Sequence, residues 1–311
     1  MSYDLYFITK NDECKLTKAD FIEYFANRPR YQAAENQTWY SNEDTGVYFS
    51  FEYQDERSSD AEEFDYVAAF NINYNRPHIF GLEAEPEVKS IIDHFKLDIS
   101  DPQMNGMGEG PYSRAGFLQG WNEGNSFGIT AMMSHDDINV SNHDLLTLPY
   151  AEIERYWKWN FNRDKLQEQM AVDVFVPRIM FCREQNEVKS FVIWPDAIPL
   201  VLPKVDKIIL YKNELAPRRF FSKQPVACLV DHEAAQSFFP SQELCTGEGL
   251  SYRQLFHDQP PQNILEFFAK QKPVTIQGVA PDSILDAELV DQAKEAALSM
   301  KTTGGSECIF Y

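Results

Sequence analysis

Residues 171–212 read AVDVFVPRIMFCREQNEVKSFVIWPDAIPLVLPKVDKIILYK, and this run constrains the fold more than any other. Val172, Val174 and Val176 alternate with Asp173 and Phe175, and residues 179–182 prolong the apolar stretch. Gln185-Asn186-Glu187 supplies a polar turn. Residues 188–194 and 205–211 are then again rich in β-branched and aromatic side chains. Such side chains suit a pleated, half-buried surface, so apolar runs parted by turn formers predict strands. We expect an antiparallel meander whose apolar face is covered by helices from elsewhere in the chain.

The N-terminal hundred residues are organised differently. Residues 3–8 form an apolar opening strand. Thr17 followed by Asp20 makes a short capping box ahead of Phe21, Ile22, Tyr24 and Phe25, and Pro29 ends the helix expected over 17–28. Two aromatic-rich strands, 37–40 and 47–53, flank the turn formers 41–46, which predicts a hairpin. Val47, Phe49 and Phe51 share one face of the second strand, and Tyr48, Ser50 and Glu52 the other. A third strand over 66–73 and a helix over 82–95 follow. The Gly/Pro-containing DPQMNGMGEG reads as a break. The expected class is α+β: a small N-terminal β-α-β-β-β-α unit over 1–101, a linker over 102–111, and a larger antiparallel β-meander unit covered by helices over 112–311.

Residues 112–133 predict a helix although Gly116, Gly120, Gly124 and Gly128 recur every fourth position. Each glycine in a helix interior costs about 1 kcal/mol relative to alanine, so four in series require a packing reason. Either the helix lies against another backbone or it breaks near Gly124. Further helices are expected over 149–170 and 283–300.

The 311 residues carry 48 acidic and 28 basic side chains, a net charge of −20. A field of that sign repels nucleic acid and anionic membrane and attracts cationic partners. Residues 1–100 hold 20 of the acidic and 9 of the basic side chains. The five cysteines are odd in number and widely spaced, with no zinc-type pairing, as in a reducing compartment. The first residues lack a basic segment leading into an apolar one, and no run of about 18 apolar residues occurs. A cytoplasmic protein is expected.

Dinucleotide, P-loop, nucleophile-elbow and zinc-protease patterns are absent from the sequence. The densest titratable group is His135-Asp136-Asp137 with His143-Asp144. Imidazoles and carboxylates there could hold a divalent ion that activates water, making the chain a metal-dependent hydrolase. In Asp231-His232-Glu233, Asp231 is placed to cap a following helix. The reading favoured by charge is a protein-interaction module, immunity- or inhibitor-like, without cofactor or catalysis. It would bind a basic protein through Tyr40, Tyr48, Glu52, Asp55, Glu56, Glu62 and Glu63, because complementary charge speeds association and tyrosines are favoured anchors.

Overall fold

The structure, a computed structural model, describes residues 1–9, 16–54, 66–103, 105–134, 145–216, 218–219, 222–246 and 249–302. Its first elements are β1 (Ser2–Thr9), α1 (Lys18–Ala26), β2 (Tyr31–Ala33), β3 (Gln37–Asn42), β4 (Val47–Tyr53), β5 (Ala68–Asn73), α2 (Ile79–Phe95), β6 (Leu97–Asp101), β7 (Gly108–Gly110), α3 (Arg114–Ser134), β8 (Leu146–Leu148) and α4 (Tyr150–Gln169). Then come β9 (Met180–Glu184), β10 (Glu187–Pro195), β11 (Leu200–Pro203), β12 (Lys207–Lys212), β13 (Arg218–Arg219), β14 (Ser222–Lys223), β15 (Val226–Asp231), α5 (His232–Gln236), β16 (Leu244–Cys245) and β17 (Ser251–Leu255). The last are α6 (Gln262–Lys270), β18 (Gly278–Val279), β19 (Ile284–Asp286) and α7 (Ala287–Thr302). The fold is α+β. Two units emerge, one of residues 1–150 with 282–311 and one of residues 151–281. This division does not coincide with the expected break at 102–111, because β7 lies within that stretch and completes the first unit's sheet. Among the described residues, no helix is long and apolar enough to cross a membrane.

The first unit is built on a seven-stranded antiparallel sheet in the order β2-β3-β4-β5-β1-β6-β7. The short β2 adds a strand to the expected β-α-β-β-β-α order. Strand alternation puts Tyr3, Leu5, Phe7, Phe49, Phe51, Phe70 and Ile72 on one buried face. Helices cover that face: Phe25 of α1 meets Phe51 at 5.2 Å between ring centroids, and Phe117 of α3 meets Phe70 at 5.8 Å. The capping box forms, with Thr17 accepting from the Asp20 amide and the Asp20 carboxylate accepting from the Thr17 amide.

The glycine-rich helix does not break. α3 runs unbroken through all four glycines, and what approaches them is side chain rather than backbone. A Cβ on Gly124 would stand 2.1 Å from the Tyr74 hydroxyl, and one on Gly120 3.1 Å from the Tyr3 ring. The stripe is therefore a socket for two tyrosines, whose rings also pack on Trp121 and Phe117 of the same helix. Asn125, buried beside them, accepts from the Asn75 amide at 2.7 Å and donates to the Arg76 carbonyl at 2.8 Å.

The chain leaves and rejoins this unit at adjacent points. β8 and β19 pair in parallel, Leu148 opposite Asp286, and α7 packs on α3 through Ile129, Val290 and Ala293. Asp286, fully buried, accepts from the His78 amide at 2.8 Å and meets His78 Nδ1 at 2.5 Å. The C-terminal segment is thus pinned to the start of α2. The closing helix expected from 283 begins only after this strand.

In the second unit the strand order is β15-β12-β10-β9-β18. β9 and β10 form the expected hairpin, turning at Gln185 in a left-handed conformation. The meander then fails, since β12 pairs with β10 in parallel. After Pro195 the chain turns through Asp196 and Ala197, both at positive φ, and β11 departs to a separate sheet, β11-β17-β16. Because β11 takes up the return path, β12 comes back beside β10 in the same direction. The valine alternation at 172–176 makes only an isolated bridge, Phe175 to Leu200, since Pro177 interrupts it.

Candidate functional site

The charge separates with the units. Residues 1–150 and 282–311 carry 32 acidic and 12 basic side chains, whereas residues 151–281 carry 16 of each. The whole excess of −20 belongs to the first unit. Part of it is internal. Tyr40 donates to Glu83 at 2.8 Å, Tyr3 to Asp101 at 2.6 Å, and Tyr112 to Glu85 at 3.1 Å, all with buried carboxylates. Glu83 also accepts from Asn42 at 2.6 Å and Thr45 at 3.1 Å. These bonds explain how carboxylates survive in a core, where an unpaired charge would be costly. Burial, then the neighbouring carboxylate, pushes the phenol of Tyr40 far above its ordinary range, as for Tyr31 beside Glu87.

Tyr40 is accordingly core. It is 3 % exposed and stacks on Phe49 at 4.4 Å, so it leaves the expected binding face. The reason is register: a four-residue loop sets Tyr40 opposite Phe49, on the buried side. Tyr48 is half-buried; its hydroxyl accepts from Arg76 at 2.5 and 2.8 Å and donates to Asp282 at 3.5 Å. Glu52 is exposed. Asp55, Glu56, Glu62 and Glu63 lie outside the described residues, as do His135, Asp136, Asp137 and His143. Among the described residues, no three His, Cys, Asp or Glu side chains gather as metal ligands would.

The sheet's other face is the candidate interface. Register places Glu52, Ala69, Tyr6, Ser100 and Glu109 in one cross-strand row, and Trp39, Ser50, Asn71 and Asp4 in the next. Asp98, opposite Ile8, shares the face. The strands thus bring Asp4, Glu52, Asp98 and Glu109 to this side and no lysine or arginine. Trp39 is 50 % exposed, and Tyr6 packs against Tyr66 at 4.7 Å. Asp4 is held by Asn71 at 2.6 Å and Ser2 at 2.9 Å. Trp39 was legible in the alternation of β3, where it faces away from Tyr40.

The second unit holds an open polar cleft of about 660 Å³. Lys207 spans it, bonding Glu184 at 2.9 Å and Asp231 at 2.9 Å. Asp231 therefore does not cap α5 with its side chain; its carboxylate goes to the lysine instead. Asp206 is occupied by the Ser190 amide at 2.8 Å and hydroxyl at 2.7 Å. Burial, and next the positive charge of Arg253, lowers the proton affinity of His232 on the wall, and its Nδ1 is buried without a partner among the described residues. Gln236, with its amide oxygen turned to the guanidinium, accepts from Arg253 at 2.7 and 2.8 Å.

The chain matches no family model, no curated protein and no solved structure.

Proposed function

We propose that this is a non-catalytic interaction protein whose first unit binds a basic protein, in the manner of an immunity protein or inhibitor. The observation that carries the reading is the sheet face to which strand pairing brings Asp4, Glu52, Asp98 and Glu109 along with the half-exposed Trp39, spread over β1, β3, β4, β6 and β7, with no basic side chain from any of the seven strands. An acidic sheet face with an aromatic anchor suits a cationic protein surface: the charges steer the encounter and exclude acidic partners, and the indole supplies desolvated contact area. The acidic segment with Asp55, Glu56, Glu62 and Glu63 connects β4 to β5 in sequence.

The experiment is capture of partners from native extract on the immobilised chain, with elution over a salt gradient. The same capture is run with a Glu52→Lys/Glu109→Lys variant and with a Glu62→Lys/Glu63→Lys variant. The reading expects a basic partner whose retention falls steeply with salt and by at least about tenfold on charge reversal. A partner held equally by the reversed variants, or insensitive to salt, defeats it.

A further inference from the structure

We propose that the cleft of the second unit binds a small zwitterion, an amino-acid-like molecule whose carboxylate sits on Arg253 and whose ammonium is balanced by Glu233 and Glu243. The argument starts from which groups are already satisfied. Lys207 is neutralised by Glu184 and Asp231, Lys189 by Glu187 at 2.6 Å, and Asp206 is saturated by Ser190. What remains on the lining is Arg253, Lys204, Glu233 and Glu243, none of which has an ion-pair partner among the described residues.

Arg253 is half-buried, and its one side-chain partner among the described residues is the neutral amide of Gln236. That amide orients the guanidinium without cancelling its charge. Gln236 takes the edge between the two terminal nitrogens, and the Nε–Nη edge beside it can bind a carboxylate through two parallel hydrogen bonds. His232 stands beside it with lowered proton affinity, so at neutral pH it offers hydrogen bonding without adding a competing charge. The buried Nδ1 of this ring, without a partner among the described residues, marks the wall as incompletely satisfied.

The overall charge of the cleft narrows the class further. Its lining has five carboxylates against four lysine and arginine side chains, so no positive excess exists to hold a polyanion such as a nucleotide. One oxyanion and one ammonium on the same molecule use both sets of unpaired groups. The volume of about 660 Å³ accommodates a molecule of that size with room for a side chain.

Isothermal titration of the full chain with each of the common L-amino acids, with acetate, ethylamine and inorganic phosphate as separate probes, tests this. At least one amino acid should bind more tightly than acetate, ethylamine or phosphate. Arg253→Met should weaken it by at least about tenfold. Glu233→Gln/Glu243→Gln, at two exposed positions, should weaken the amino acid by a similar factor without weakening acetate. The inference is overturned if no amino acid binds at about 10 mM. It is overturned equally if phosphate or acetate binds as well as every amino acid, or if affinity survives both variants. Should Arg253→Met fail to fold by circular dichroism, the glutamine pair alone decides.

Discussion

Gly124→Ala tests whether the glycine stripe of α3 is a socket for aromatic side chains. In an ordinary helix the change stabilises by about 1 kcal/mol, because alanine loses less backbone entropy. Here the added methyl would stand 2.1 Å from the Tyr74 hydroxyl and 2.3 Å from the ring carbon bearing it. Carbon and oxygen need more than about 3 Å, so the ring must move by about an ångström. Tyr74 is 7 % exposed, stacks on Trp121 at 5.4 Å and donates to Gln103 at 3.2 Å, so movement disturbs packing and a hydrogen bond. Overpacking costs roughly 1–3 kcal/mol and the lost bond about 0.5–1.5 kcal/mol. Set against the propensity gain, Gly124→Ala should destabilise by roughly 0.5–3.5 kcal/mol. The decisive measurement repeats the change in a Tyr74→Leu background, by urea unfolding followed through tryptophan fluorescence. With the ring tip gone the same substitution should become stabilising, a coupling of at least about 1.5 kcal/mol between the two positions. An equal cost in both backgrounds would refute the socket, and so would a Gly124→Ala protein that is more stable than its parent.

Replacing residues 151–281 by a short Gly/Ser linker should leave the first unit folded, since β8 and β19 pair where the chain leaves and returns; protected amides in β1 and β5 under hydrogen exchange would show it. Glu83→Leu should cost more than Tyr40→Phe: the first strands three donors, Tyr40, Asn42 and Thr45, and the second removes one bond worth about 1 kcal/mol, an order that denaturant midpoints will report. His232 should titrate below its ordinary value of about 6.5 in an NMR pH series, and Arg253→Met should raise its midpoint only part of the way, because burial is the larger cause. The folded state then binds fewer protons at this site than the unfolded chain, so stability from it is present above about pH 6.5 and is lost as pH falls from there through the folded midpoint; His232→Gln should flatten that slope.

Local chemistry was legible where it is decided locally. The Thr17/Asp20 box, the turn at 185–187 and the helix over 149–170 all follow from side chains within a few positions of one another. Tyr40 was misplaced because strand composition does not fix the face until register is known. Counting the loop 43–46 and pairing Asn42 with Val47 would have put Tyr40 opposite Phe49. The parallel β10–β12 pair was hidden because β11 reads like another strand of the same meander, and nothing in its apolar sequence tells which sheet it joins. β8 and β19 are three residues each and lie more than a hundred positions apart, so neither carries a periodic signal. The cleft was similarly illegible. Glu184, Lys207, His232, Gln236 and Arg253 come from the β9–β10 hairpin, β12, α5 and β17, and each alone looks like a surface residue.

The net charge counted from sequence overstates what a partner meets. Glu83, Glu85, Asp101 and Asp286 are within the first unit's core, held by tyrosines, amides and His78, so they serve its interior rather than its surface. At physiological ionic strength screening acts over about 8 Å, so only carboxylates near a docked surface contribute strongly to its binding. The salt dependence of partner binding should therefore scale with the handful of face residues, Asp4, Glu52, Asp98 and Glu109, together with the 55–65 segment, and not with the full −20. Substituting Glu83 or Asp286 should change stability and leave the salt slope of binding where it was. Substituting Glu52 or Glu109 should do the reverse, and a common response of both pairs would mean that the partner reads the unit's total charge instead of this face.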